Sequence, residues 1–188
     1  MASKQLTKKH YIGMLTGGVV ALLVGSATVP GLLPHHEGVT NPKIVNGQRV
    51  SVAMQQSFDP KGVITVCNGH TNLDDPSLKP GDVYTVAMCL DLLKIDIPKY
   101  QAQMASCMPR DMLVGDRQHA AMISFTYNVG RGNFCNSSVG RAFREGRREE
   151  ACRNMGKFTR AAGVELRGLV NRRYDQFWGE IAWCLRDD

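Results

Sequence analysis

Glu37 and Asp59 are the first two acidic residues of this 188-residue chain. Two carboxyl groups are the minimum equipment for cleaving a glycosidic bond. One stays protonated at the leaving oxygen, and the other, ionised, orients water or stabilises positive charge at the anomeric carbon. Burial against apolar surface is the usual way a glutamic acid keeps its proton. Each residue also has a plainer reading, Glu37 as a first-turn helix residue stabilised by the dipole and Asp59 as a turn residue before Pro60. Isolated carboxylates make no motif without context. His70 has only Cys67 near it at metal-ligand spacing, so a structural hydrogen-bonding role is expected, and no metal or cofactor is implied.

The elements around these residues begin with an uncharged run, Tyr11 to Leu33, that ends four positions before Glu37. As a helix it would reach about 34 Å, enough for a hydrocarbon core of about 30 Å. Lys4, Lys8 and Lys9 precede it, which favours a cytoplasmic N-terminus and an exported domain. Nearly half of the run is Gly, Ala, Ser, Thr or Pro, so it is a weakly held anchor. Gly25-Ser26-Ala27 approximates a cleavage site, but the stretch exceeds a typical signal-peptide core, and an uncleaved anchor is expected. All six cysteines, Cys67, Cys89, Cys107, Cys135, Cys152 and Cys184, follow it. They imply disulfides formed in an oxidising compartment, with the pairing open. The net charge of +6 suits an anionic partner such as a wall polymer or nucleic acid without deciding between them.

Beyond the breaker-rich Pro30 to Pro34, residues 39–57 read as mostly polar and irregular, with a turn at Asn46-Gly47 and a strand from Arg49 to Met54. Val63 to Val66 reads as a second strand. The rest is helical. Thr85 caps a helix that Pro98 ends, a second runs from Asp116 to Val129, and Asn136-Ser137-Ser138 caps a third. A fourth spans Glu149 to Phe158, and a last one, Leu169 to Cys184, carries Val170, Arg173, Phe177 and Ile181 in register. A small antiparallel sheet followed by a larger helical lobe is an α+β fold. Arg173 is expected to pack inward against a carboxylate, with Arg172 at the surface.

Asp59-Pro60-Lys61-Gly62-Val63-Ile64-Thr65-Val66-Cys67-Asn68-Gly69-His70-Thr71 resembles the catalytic hairpin of the phage-type lysozymes, glycoside hydrolase family 24. In that family the Asp is followed by Gly at the third position and Thr at the sixth, then by Val-Cys-x-Gly-His-Thr. The resemblance continues at Phe125 to Cys135 and at Ala161 to Arg173. Three ordered matches make it specific. It implies a lysozyme-like fold acting on the β-1,4 bond between N-acetylmuramic acid and N-acetylglucosamine. Carried over residue by residue, Glu37 protonates the leaving oxygen while Asp59 and Thr65 hold the attacking water, which implies inversion. The family places its Glu and Asp far closer than the 22 positions found here, so a stretch near Asn41 to Met54 is expected to loop out. An excess of about a dozen residues costs little, because loop-closure entropy grows logarithmically.

Within such lysozymes the weak N-terminal segment resembles a signal-anchor-release element. The expected organisation is a cytoplasmic basic stretch at 1–10, a releasable anchor at 11–33 and a catalytic domain at 34–188, its β lobe at 34–75 and helical lobe at 76–188. The implied partners are peptidoglycan and, through 11–33, the host secretion machinery and inner membrane. No nucleic-acid partner is implied, and a monomer is expected, tethered to the inner membrane and then periplasmic. Two other classes fit parts of the pattern: a lytic transglycosylase, which has no need of Asp59 and Thr65, and an inactive tethered wall-binding protein, suggested by the stretched Glu-to-Asp interval.

Overall fold

The computed structural model describes residues 9–26, 30–55 and 62–186. They form two compact units, one of residues 24–97 and one that joins the N-terminal residues through Leu23 to residues 98–188. The N-terminal segment opens with strand β1 (His10–Tyr11), paired antiparallel with Leu113–Val114. Helix α1 (Gly17–Val24) follows. Its first turn is capped by Thr16, whose hydroxyl accepts from the Val19 N–H at 3.1 Å, satisfying one of the amides that every helix start leaves open. The uncharged run expected as one helix over 11–33 is here divided. Gly25 takes φ +69° and closes a bridge to Pro30, a geometry that no helix continues through. Among the described residues no helix is long and apolar enough to cross a membrane. Ile12, Val19 and Leu23 are buried instead.

In the unit of residues 24–97, α2 (Leu32–Glu37) buries Leu32 and Leu33 completely. The stretch expected to loop out is structured: β2 (Pro42–Val45) and β3 (Gln48–Val52) pair as a hairpin. Asn46 and Gly47 turn it with φ of 49° and 75°, the two left-handed residues of a type I′ turn, whose twist matches the flanking strands. Strands β4 (Met54–Gln55), β5 (Ile64–Val66) and β6 (His70–Thr71) make a separate antiparallel sheet, and β7 (Val83–Thr85) extends the hairpin into the order β2-β3-β7. Ala53, Val66, Leu78 and the Cys67–Cys89 disulfide fill the core beneath. Helix α3 (Val86–Ala105) begins where Thr85 accepts from the Met88 N–H at 3.3 Å. It runs on through Pro98, contrary to expectation. The proline removes one helical hydrogen bond and strains one turn, and the run of buried positions Leu93, Ile97, Gln101 and Met104 compensates.

In the unit containing residues 98–188, β8 (Leu113–Val114) leads into α4 (Asp116–Asn136). This helix kinks at Gly130, with φ 79° and ψ 157°, one residue past the end the hydrophobic spacing indicates. Its first half is the core: residues 118–126 are all buried, and Phe125 meets Phe158 edge-on at 5.1 Å between centroids. Ser137 caps α5 (Ser138–Arg144), accepting from the Gly140 N–H at 3.1 Å. Then come α6 (Arg148–Asn154), a 3-10 turn at Met155–Lys157, the hairpin β9 (Arg160–Ala161) and β10 (Val164–Glu165), α7 (Arg167–Tyr174) and α8 (Glu180–Leu185). The single helix expected over Leu169 to Cys184 is therefore two. Asp175 interrupts it by accepting from the Phe177 and Trp178 N–H groups, both at 2.8 Å, and Phe177 ends up exposed. The remaining disulfides join Cys107 to Cys135 and Cys152 to Cys184.

Candidate active site

Glu37 is the last residue of α2, half-buried, at the end of the helix rather than in its first turn. The dipole-stabilised role weighed for it is therefore ruled out by position, since a helix C-terminus carries partial negative charge. Thr65 stands in the middle of β5, paired across to Met54 and Thr71. Asp59 lies outside the described residues. The chain leaving Glu37 is tied to the chain leaving Thr65. The Thr40 N–H donates to the Cys67 carbonyl at 2.8 Å, and the Asn68 side-chain amide donates to the Gly38 carbonyl. Glu37 and Thr65 thus share one unit, and the residues just after each are bonded together. His70 donates through Nδ1 to the Asp96 carboxylate at 3.0 Å, the structural role expected of it. No cluster of three or more metal-ligating side chains occurs among the described residues.

The second and third matched segments meet in the helical unit. Asn128, Val129, Asn133, Phe158, Arg160 and Leu166 line much of a cavity of about 320 Å³. Its floor is fixed by a buried ion cluster. Glu180, fully buried, accepts from Arg172 Nε at 2.8 Å, from the Ser124 hydroxyl at 2.6 Å and from Arg173. Arg173 reaches Asn128 in turn, with its guanidinium 4.8 Å from the Phe125 ring. Burial works to raise the Glu180 pKa, but the two guanidiniums and the Ser124 hydroxyl outweigh it and hold the carboxyl below its ordinary value. Arg173 packs inward as expected. Arg172, expected at the surface, is buried as well, because each oxygen of Glu180 takes one of the two arginines.

A second polar cluster holds the N-terminal segment. The Gln101 amide donates to the Ile12 carbonyl at 2.6 Å, which points its own carbonyl at His119 Nε2, 2.5 Å away. His119 therefore carries its proton on Nε2 and accepts at Nδ1 from His10 Nε2, at 2.8 Å. Thr16 donates to Asp116 at 2.9 Å, and His10 Nδ1 lies 3.4 Å from the same carboxylate. Burial, with His10 beside it, pushes the His119 imidazole down to about 3. None of these partners is marked by a motif.

The model of the phage lysozyme family matches residues 48–176. The chain belongs to the phage lysozyme family. Membership makes it a hydrolase of the lysozyme class, and the match takes in Asp59 and Thr65 but begins after Glu37. The SAR-endolysin of Bacteriophage PS119 is 31% identical over 92% of this chain and 93% of its own length. That of Bacteriophage PS34 is 30% identical over 96% of the chain and 99% of its own. Among solved structures, the muramidase domain of SpmX from Asticaccaulis excentricus superposes with a TM-score of 0.65 at 24% identity, over 92% of this chain and 97% of that one, which establishes the lysozyme-like fold.

Proposed function

We infer that this phage lysozyme is an endolysin that hydrolyses the β-1,4 bonds between N-acetylmuramic acid and N-acetylglucosamine in peptidoglycan, lysing the host cell at the end of infection. Glu37 is the general acid, and Asp59 with Thr65 holds the attacking water for an inverting displacement. The observation that carries this reading is the direct bonding of the segment after Glu37 to the turn after Thr65, in a chain whose family is that of the phage lysozymes. The cavity rimmed by Asn128, Asn133 and Arg160 offers polar groups of the kind that bind glycan hydroxyls. Replacing Glu37 by Gln is expected to lower the rate of peptidoglycan hydrolysis at least about a hundredfold. An unchanged rate overturns the assignment. Product mass separates this reaction from a lytic transglycosylase, whose anhydro product lacks the added water.

Residues 11–33 form a releasable anchor: the chain is exported, waits in the inner membrane with its N-terminus inside, and is freed into the periplasm. The fold described above is the released state. In it Ile12, Val19 and Leu23 of the segment are buried in protein, and the segment has found hydrogen-bond partners in Met112, Gln101 and Asp116. Glu37 lies too close to the membrane end to take its place while the anchor is inserted. Gly17 and Gly18 both replaced by Leu should fix the anchor in the bilayer and delay lysis. Lysis as fast as the parent's counts against the release step.

A further inference from the structure

The residues inserted between Glu37 and Asp59 do more than span an interval. Ser51, on β3 of the inserted hairpin, has no exposed surface. Its hydroxyl donates to the Thr40 carbonyl at 2.7 Å and accepts from the Cys67 N–H at 2.8 Å. One side chain thus joins the segment that follows Glu37 to the turn that follows the strand bearing Thr65. Its neighbour Val52 adds a backbone bond to the Asn41 carbonyl at 3.3 Å. With Asn68 on the Gly38 carbonyl and Cys67 on the Thr40 N–H, three carbonyls and one amide of residues 38–41 are tied to the sheet residues and to the turn after Thr65. Cys67 is itself fixed, in a left-handed conformation at φ 57° and by its disulfide to Cys89.

We propose that Ser51 is a positioning residue for the general acid, and that the inserted hairpin supplies it. The inference rests on Glu37 being that acid. Without the hydroxyl, a partly buried carbonyl and a buried amide lose their partner together. The carbonyl of Thr40, three residues beyond Glu37, is then free to turn toward other donors, and the acid's segment moves with it. Misplacement of a reacting group by about 1 Å costs up to about a hundredfold in rate, so a partial loosening should cost roughly tenfold. The loss should fall on kcat, because Ser51 is buried and reaches no bound glycan.

The test is a cycle of variants, measured on purified peptidoglycan sacculi by release of reducing ends. Ser51→Ala is expected to lower kcat about tenfold with KM within about twofold. Placed in the Glu37→Gln protein, Ser51→Ala should cost nothing further, because a residue acting through the acid has no effect once the acid is gone. A structural role instead lowers the residual rate by the same factor in both backgrounds, and that result overturns the proposal, as does an unchanged kcat in the single variant. If Ser51→Ala fails to fold, Asn68→Ala releases the adjacent Gly38 carbonyl and is read by the same cycle. A Glu37→Gln protein with full activity would sink the acid assignment itself, an outcome distinct from any shown by the Ser51 variants.

Discussion

The unit containing residues 98–188 holds two buried polar clusters, and they solve the same problem in opposite ways. Around Glu180 the groups stay charged. A carboxylate and two guanidiniums are buried together, and each oxygen of the acid is claimed by an arginine. Around His119 the central group is neutral: an imidazole donates to Gln101 and accepts from His10, and burial keeps it from taking a proton. The first cluster joins α4, α7 and α8, all within the helical body. The second joins that body to a segment which, in the proposed life of this protein, spends its first phase in a bilayer. A buried charged cluster left half-built costs several kcal/mol per ion, whereas a neutral imidazole and a carboxylate already partly exposed can stand open to water at little cost. Full burial of charge is placed where contact is permanent; where contact is made late the buried imidazole is neutral, and the carboxylate beside it, Asp116, stays partly exposed.

The comparison breaks most visibly at Glu180. Glu180→Gln leaves two buried guanidiniums without their counter-charge and should cost about 3–5 kcal/mol of unfolding free energy, read by urea denaturation. A loss below about 1 kcal/mol, the scale of an ordinary hydrogen bond, would mean that the cluster is not held by charge. Acid should distinguish the two clusters next. The folded-state pKa of His119 lies below its ordinary 6.5, at about 3, so the unfolded chain binds a proton that the folded chain refuses. Its contribution is fully present above pH 6.5 and is lost as pH falls toward about 3, by about 1.4 kcal/mol per pH unit. Between pH 6.5 and 5 that amounts to about 2 kcal/mol. His119→Gln keeps one donor and one acceptor but cannot titrate. The stability difference between it and the parent should change with this slope and level off above neutrality; a flat difference refutes the assignment of a neutral imidazole.

The smallest effect tests how closely α1 docks. A side chain at Gly17 meets nothing, while a Cβ at Gly18 runs into the Asp116 carboxylate that Thr16 bonds. Gly17→Ala should leave stability within about 0.5 kcal/mol of the parent or raise it. Gly18→Ala should lower it by about 1 kcal/mol as Asp116 gives up its bond. Equal thermal midpoints for the two variants would show that α1 is not held against Asp116.

Local signals were read well and non-local ones poorly. Asn46-Gly47, the Ser137 and Thr85 caps and the end of the α4 pattern at Val129 are written in adjacent residues, and each is where its chemistry puts it. Of the hairpin Pro42 to Val52, the turn and the second strand show in the sequence, at Asn46-Gly47 and in the alternation from Arg49, whereas the first strand, Pro42 to Val45, is exposed throughout and so carries no alternation of apolar and polar residues. The helix through Pro98 and the break at Asp175 are decided by burial and by a side chain bonding the backbone beyond it, neither visible as periodicity. Glu37, Asp59 and Thr65 are named by the resemblance alone, and the roles given to them are those proposed above. Ser51 was not legible, because its two partners lie 11 and 16 residues away. His10 was equally silent, for it meets His119 and Asp116 across more than a hundred residues.

Each disulfide joins a cysteine to the next one in the sequence: Cys67 to Cys89, Cys107 to Cys135 and Cys152 to Cys184. Under the export proposed above, a chain translocated in order of synthesis into an oxidising compartment offers its thiols one after another. Pairing each new thiol with the last one still free gives the native set directly. Slow exchange among wrong partners is then bypassed, and a chain exported in that order needs an oxidase but no isomerase.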